Sequence, residues 1–249
     1  MNRPLLIDGR MQSGESVPGW PSVFIYGHDQ FTLEPTKELV QQFAEQHSER
    51  LPVIIDLEHW PLPAQQDKYI EVVDWWREAR PDLRIGYYSM VPSGNYWAAI
   101  IATTGDISQM KVWAQANAQL ARKRDFLGRF THRGLADVVD FVCPSLYMAY
   151  IGLDQYNNNH SQLWFDAYAP ATIIEARKYQ KQIYPFICPR VHPGNQAGDA
   201  NKYIGDDLLR EQIKWCIENT DGCIVWDYYL DPDATTILPA TSKIMKEFS

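Results

Sequence analysis

Apolar residues along this chain fall into two patterns that alternate: short continuous runs, and longer stretches in which they recur at helical spacing. The runs are rich in β-branched and aromatic residues and are bounded by Gly, Pro, Asn or Asp, as strands covered on both faces are. Strands are predicted at Val23–Tyr26, from Val53 towards Glu58, at Arg84–Ser89, Val138–Tyr147, Ile183–Cys188 and Gly222–Asp227, with two shorter candidates at Leu5–Asp8 and Trp97–Ala102. Residues 1–22 carry Gly9, Gly14, Pro18, Gly19 and Pro21, which reads as an irregular lead-in around the Leu5–Asp8 strand.

Between the runs the period lengthens. Pro35 and Thr36–Ala44 open an amphipathic helix running towards Ser48. A second starts at Gln65, with Tyr69, Ile70, Val73, Trp76 and Ala79 facing a core before Pro81 ends it. Helices are also predicted from Ser108 to about Phe130, over residues 161–180, and at Asp206–Asn219 and Ser242–Phe248. Such alternation implies parallel strands joined by crossover helices. No glycine-rich nucleotide fingerprint follows the first strand, which favours a TIM-like (β/α) barrel of seven or eight strands over an open doubly wound sheet. The expectation is one catalytic barrel domain over residues 1–249.

In such a barrel the carboxyl ends of the strands converge on the reactive face. Those positions hold Tyr26 and His28, Asp56 and Glu58, Tyr87 and Tyr88, Tyr147, Arg190 and His192, then Trp226, Asp227 and Tyr228. Side chains alternate across a strand, so Asp56 and Glu58 project to one side with Cα atoms about 7 Å apart. Two carboxyls in one small space resist ionising together, and one of them keeps a proton near neutral pH, as a general acid requires. The competing reading makes Asp56 a helix cap and Glu58 a solvated strand-end residue. Tyr87 and Tyr88 point to opposite faces, so only one of them can line the mouth. Acids ringed by aromatic side chains suit a sugar cleft, because aromatic faces pack on the apolar faces of pyranose rings.

Composition narrows the partners. A net charge of −8 and a sequence pI near 5.2 disfavour a nucleic-acid partner. Cys143, Cys188, Cys216 and Cys223 show no metal-ligand spacing, and three of them sit in apolar runs, which argues against a zinc site and favours a reducing compartment. No cofactor is expected. No run is long enough to span a membrane, and the first residues reach Asp8 too early for a signal-peptide core, so a soluble chain is expected, secreted only if a leader was removed.

Several short blocks, taken in order, resemble the animal and venom hyaluronidases, which are endo-N-acetylhexosaminidases on a barrel of seven regular strands. Ile55–Trp60 (IDLEHW) resembles that family's Ile-Asp-Trp-Glu-x-Trp acid motif. Arg80-Pro81 with Gly86-Tyr87-Tyr88, Pro92 and Asn95-Tyr96 resembles its Arg-Pro, Gly-Tyr-Tyr, Pro and Tyr-Asn block, and Pro144–Met148 and Gly222–Trp226 resemble its Pro-Ser-Ile-Tyr-Met and Gly-Val-Val-Leu-Trp. A weaker stretch, Ile174–Arg177 leading to Tyr184-Pro185, falls between the last two.

The resemblance implies Glu58 as general acid and then base, and Asp56 as the group that orients the substrate's 2-acetamido nitrogen. It also implies Tyr147 and Tyr88 as active-site tyrosines and Trp226 as the wall against the acetyl methyl. Trp60, Asn95, Tyr87 and Arg190 are further expected substrate contacts. In that scheme the acetamido oxygen attacks the anomeric carbon, so no carboxylate nucleophile is needed. The expected partner is a polysaccharide or other glycan. The chain departs from the family in its length, in lacking the paired disulfide cysteines, in Leu57 between the acids, and in Pro61 where an Arg is usual. These changes leave the chemistry and point to a less charged N-acetylhexosaminide than hyaluronan. Two alternatives stay open: a glycosidase pairing Glu58 with a distant acid such as Asp227 or Asp140, and a catalytically silent glycan-binding barrel.

Overall fold

A computed structural model describes residues 5–9, 17–21, 23–27, 34–47, 52–124, 127, 129–151, 159–192, 200–227 and 238–249. The predicted rim residues His28 and Tyr228 lie outside them, as does part of the lead-in.

The described chain is mixed α/β with mostly parallel strands. In order it runs β1 (Leu5–Asp8), β2 (Phe24–Tyr26), α1 (Lys37–Gln46), β3 (Val53–Ile55), α2 (Gln66–Ala79), β4 (Ile85–Tyr87), α3 (Tyr96–Ala102) and α4 (Ser108–Asn117). It continues through β5 (Lys123–Arg124), β6 (Phe130–His132), α5 (Leu135–Val138), β7 (Phe141–Val142), α6 (His160–Leu163) and α7 (Ala169–Arg177). The last elements are β8 (Gln182–Ile183), β9 (Phe186–Ile187), α8 (Asp206–Asn219), β10 (Gly222–Val225) and α9 (Leu238–Glu247). No described helix is long and apolar enough to cross a membrane.

Parallel ladders join β2 to β3 to β4, β7 to β8, and β9 to β10 to β1. Single bridges connect these pieces, Tyr88 with Cys143 and Ser145 with Phe186. The prolines explain the breaks: Pro144 and Pro185 have no N–H to donate, and each serves only as an acceptor, from Phe186 and Ile224. Between β1 and β2 the described residues show no ladder, and one hydrogen bond crosses there, from the Asp8 N–H to the Pro21 carbonyl at 3.0 Å.

The strands divide the buried residues into two cores according to parity. Ile7, Val23, Ile54, Phe141, Cys143, Tyr147, Phe186, Cys188 and Ile224 pack together on one side of the strand layer. Val53, Ile55, Ile85, Tyr87, Val142, Ile187 and Val225 belong instead to the large core shared with the helices. Gly86 lies on the inner side, where a Cβ would come within 2.5 Å of the Phe141 ring. Its missing side chain leaves room for that ring.

Three expectations need correction. Trp97–Ala102 is helical, the end of α3, because Ala98, Ala99 and Ile100 are buried together on a helix of good formers rather than alternating between two faces. The long helix from Ser108 stops at Asn117, and after a 3₁₀ turn over Ala118–Leu120 the chain forms the antiparallel pair β5 and β6. Gly134 permits that reversal, since a Cβ there would lie 2.1 Å from the Leu120 carbonyl oxygen. Finally, the Val138–Tyr147 run is a strand only at Phe141–Val142. Residues Leu135–Val138 turn into α5, and Asp140 accepts hydrogen bonds from the Ile85 N–H (2.8 Å) and from Arg77 (2.9 Å).

Candidate active site

The exit of β3 is held from both sides. The Asp56 N–H donates to the Tyr26 carbonyl at 2.7 Å and the Tyr88 N–H donates to the Ile55 carbonyl at 3.0 Å, so the two acids begin at a fixed height on the strand layer. Leu57 is fully buried among the helices. Asp56 and Glu58 turn the other way, towards the inner side, where the charges of both act on Tyr88. Asp56 lies against Gly27, the residue that follows β2, where a Cβ would stand 3.6 Å from the Asp56 Cβ.

Beyond Glu58 the chain is clamped by α2. The Tyr69 hydroxyl accepts from the Trp60 N–H at 2.9 Å and donates to the Trp60 carbonyl at 2.7 Å. The Tyr87 hydroxyl donates to the Tyr69 carbonyl at 3.1 Å, which ties β4 to the same helix. Tyr69 was legible in the sequence only as an apolar helix position, and nothing there marked its hydroxyl.

Tyr88, Tyr147 and Trp226 gather on the same side as the acids. The rings of Tyr88 and Tyr147 are 5.6 Å apart, and those of Tyr147 and Trp226 lie nearly parallel, 5.8 Å apart at 11°. The Tyr88 hydroxyl donates to the Ser145 Oγ at 3.2 Å. Ser145 belongs to the Pro144–Met148 block, but its type alone gave no sign of this role.

Electrostatics single out Glu58. Partial burial of its carboxyl, and then the charge of Asp56, push it up to about 7 from an ordinary 4.5. The residue as a whole is exposed, so water reaches it from the open side while the protein walls its inner side. The phenols of Tyr88 and Tyr147 are held far above their usual range, mainly by burial; the acids add to this, Glu58 and Asp56 at Tyr88 and Asp56 at Tyr147. Both therefore stay protonated and can donate hydrogen bonds at any working pH. The arrangement offers a proton near neutrality, a second carboxylate, two tyrosine hydroxyls and a flat aromatic wall.

Other expected contacts are placed elsewhere. Tyr87 is buried in the helix-side core, its ring against Tyr69 at 5.4 Å. Trp60 packs there too, beside Tyr69 at 4.9 Å with the Lys68 ammonium 5.2 Å from its ring centre. Parity ends with the strand, so a motif position two beyond Glu58 did not fix its direction. Tyr26 also turns to the helices, 4.8 Å from Trp76. Asn95 precedes α3, and its amide donates to the Met110 sulfur at 3.3 Å.

Arg190 is 2% exposed and pairs with Asp227 at 2.8 Å beneath the surface, which takes both from the role of open contact. Asp140, the other distant acid considered, stands at the amino end of β7, opposite the strand ends that carry Glu58, and is paired with Arg77 at 2.9 Å. His192 remains near the cluster, its ring 6.2 Å from that of Tyr147. Among the described residues no group of three or more His, Cys, Asp and Glu side chains is placed to hold a metal ion.

No family model matches this chain, and no curated protein does. Solved structures similar to it include a chitinase from Chromobacterium violaceum, with 10% identity and a TM-score of 0.48 over 98% of this chain and 89% of that one. An endo-β-1,3-glucanase from Amycolatopsis mediterranei, in complex with laminaritriose, gives 11% and 0.45 over the whole of both chains. The carboxyl transferase domain of Rhizobium etli pyruvate carboxylase gives 13% and 0.44 over 99% of this chain and 39% of that one. What the site can do chemically therefore rests on its own side chains.

Proposed function

We propose that this chain is a retaining glycosidase in which the substrate's own 2-acetamido group is the nucleophile, acting within N-acetylhexosaminide chains on a closed single-domain barrel of parallel strands. The observation that carries this reading is the Glu58 carboxyl, lifted to about 7 beside Asp56 on the side of the strands where Tyr88, Tyr147 and Trp226 meet.

Protonated Glu58 gives its proton to the departing glycosidic oxygen as the acetamido oxygen closes on the anomeric carbon. The C–O bond to the leaving sugar breaks, a cyclic oxazolinium forms, and Asp56 accepts the hydrogen bond of the acetamido N–H. Glu58, now a carboxylate, takes a proton from the water that reopens the ring, and the configuration is retained. Tyr88 and Tyr147 line the acetamido region and hold it in place, and Trp226 covers its methyl. Acid catalysis of this kind contributes about 10²- to 10⁴-fold. The commitment of Asp227 to Arg190 and of Asp140 to Arg77 favours this scheme over one with a second, distant carboxylate. The net charge of −8 and Pro61 in place of the family's Arg favour a weakly charged polymer.

Hydrolysis of N-acetylhexosaminide oligomers by wild type, its fall by about 10²-fold or more in Glu58→Gln, and inhibition by a thiazoline mimic of the cyclic intermediate are expected. Full activity in Glu58→Gln refutes the assignment. Trapping of a sugar on a carboxylate refutes acetamido participation.

A further inference from the structure

The strand ends that carry Tyr88 and Tyr147 lead into a second aromatic group that the chemistry above does not use. Tyr96 and Trp97 open α3 after β4, and Tyr150 follows β7 three residues beyond Tyr147. The Trp97 and Tyr150 rings are 5.2 Å apart, those of Tyr96 and Tyr150 are 5.9 Å apart, and the Tyr96 hydroxyl is 2.9 Å from His160 Nδ1. Trp97 is 49% exposed, although a large aromatic ring gains from cover and its neighbours here are aromatic too.

This group is fastened to the acid site. Tyr96 packs edge-on against Tyr168 at 5.0 Å, and the Tyr168 hydroxyl donates to the Ser145 carbonyl at 2.6 Å. Ser145 is the residue whose Oγ receives the Tyr88 hydroxyl. The loop between β4 and α3 is also pinned: the Ser93 N–H donates to Asn117 Oδ1 at 3.0 Å, and the Trp113 indole N–H donates to the Ser93 carbonyl at 2.9 Å. A pre-set, partly open aromatic surface therefore stands beyond the same ends of β4 and β7 that carry Tyr88 and Tyr147.

We propose that Trp97, backed by Tyr150 and Tyr96, is an outlying sugar subsite that stacks on a pyranose ring of the bound chain away from the bond being cleaved. The inference rests on the glycosidase reading for its ligand class and adds that long oligomers bind better than short ones, as attack within a chain requires. Its place beyond the same strand ends as Tyr88 and Tyr147 argues for a sugar of the same chain as occupant rather than for a separate protein partner.

The test is calorimetric binding of a ladder of N-acetylhexosaminide oligomers, from two to eight sugars, to full-length Glu58→Gln with and without Trp97→Ala. Trp97→Phe serves as the conservative control. Loss of one stacking contact is expected to weaken the longer oligomers by about 2- to 10-fold and leave the shortest unchanged, with Phe restoring most of the loss. Equal affinity of Trp97→Ala for long oligomers, equal weakening at every length, or no binding of any oligomer overturns the subsite. Failure of the catalytic reading shows separately, as oligomers that bind wild type and are not hydrolysed.

Discussion

Replacing Asp56 with Asn keeps the size of the side chain and removes its charge, which isolates one of the two influences on the proposed acid. The Glu58 carboxyl stands at about 7 against an ordinary 4.5, a displacement of about 2.5 pH units, and burial is the larger cause with Asp56 second. The neighbour therefore supplies the smaller part. On the proposed mechanism activity requires Glu58 protonated, so the alkaline limb of kcat/KM follows its titration in the free enzyme and falls near pH 7 in wild type. In Asp56→Asn the limb moves to lower pH by less than half of that displacement, whatever the loss of amplitude from a disordered acetamido group.

Two assays read this independently: kcat/KM on an oligomer from pH 4 to 9, and a carbon-13 NMR titration of the Glu58 carboxyl, which needs no turnover. A larger displacement in both would make repulsion the dominant cause and refute the ranking of burial above the neighbouring charge. A limb that stays in place or moves up would show that the two carboxyls do not share one electrostatic space.

Two further outcomes follow from the same geometry. The unfolded chain releases the Glu58 proton near 4.5 and the folded one near 7, so the native state binds more protons between those values and stability falls as pH rises through that window. Glu58→Gln should gain stability over wild type on going from pH 4 to pH 8. Because the residue is exposed and screened, about 1 kcal/mol is expected in urea unfolding; a pH-independent difference refutes it. Tyr69→Phe leaves the Trp60 N–H and carbonyl without the hydroxyl they share and should cost about 1 to 3 kcal/mol in the same assay. It should also lower kcat more than it raises KM, because the loop carrying Glu58 loses its clamp, and an unchanged kcat removes that positioning role.

What the sequence reveals follows strand parity. Asp56, Glu58, Tyr88, Tyr147 and Trp226 each sit within or just past a run whose alternation fixes their side, and the structure groups them with the inner core or beside it. Where the strand has ended the rule lapses, and Trp60 turned to the helices. Arg190 was expected at the rim from its position alone. Its burial depends on a counter-charge 37 residues away at Asp227, a pairing that no local pattern announces. The strand layer itself was read as longer than it is, because Pro144 and Pro185 sit inside apolar runs and interrupt the ladder without changing the hydrophobic pattern.

The pair Tyr87-Tyr88 shows how one strand serves two purposes. Tyr87 faces the helices, and its hydroxyl reaches the Tyr69 carbonyl, while the Tyr69 hydroxyl holds the backbone two residues past Glu58. Tyr88 faces inward, joins Tyr147 and Ser145, and is itself raised in part by the charge of Glu58. A partly desolvated carboxyl beside a second one opposes folding above its ordinary pKa, so the loop bearing it needs fixing from a direction the substrate does not occupy. The outer tyrosines provide that hold, while the inner ones stand on the other side of the strands. A substitution at Tyr69 or Tyr87 should therefore register first in stability and in the placing of Glu58, and one at Tyr88 or Tyr147 first in turnover.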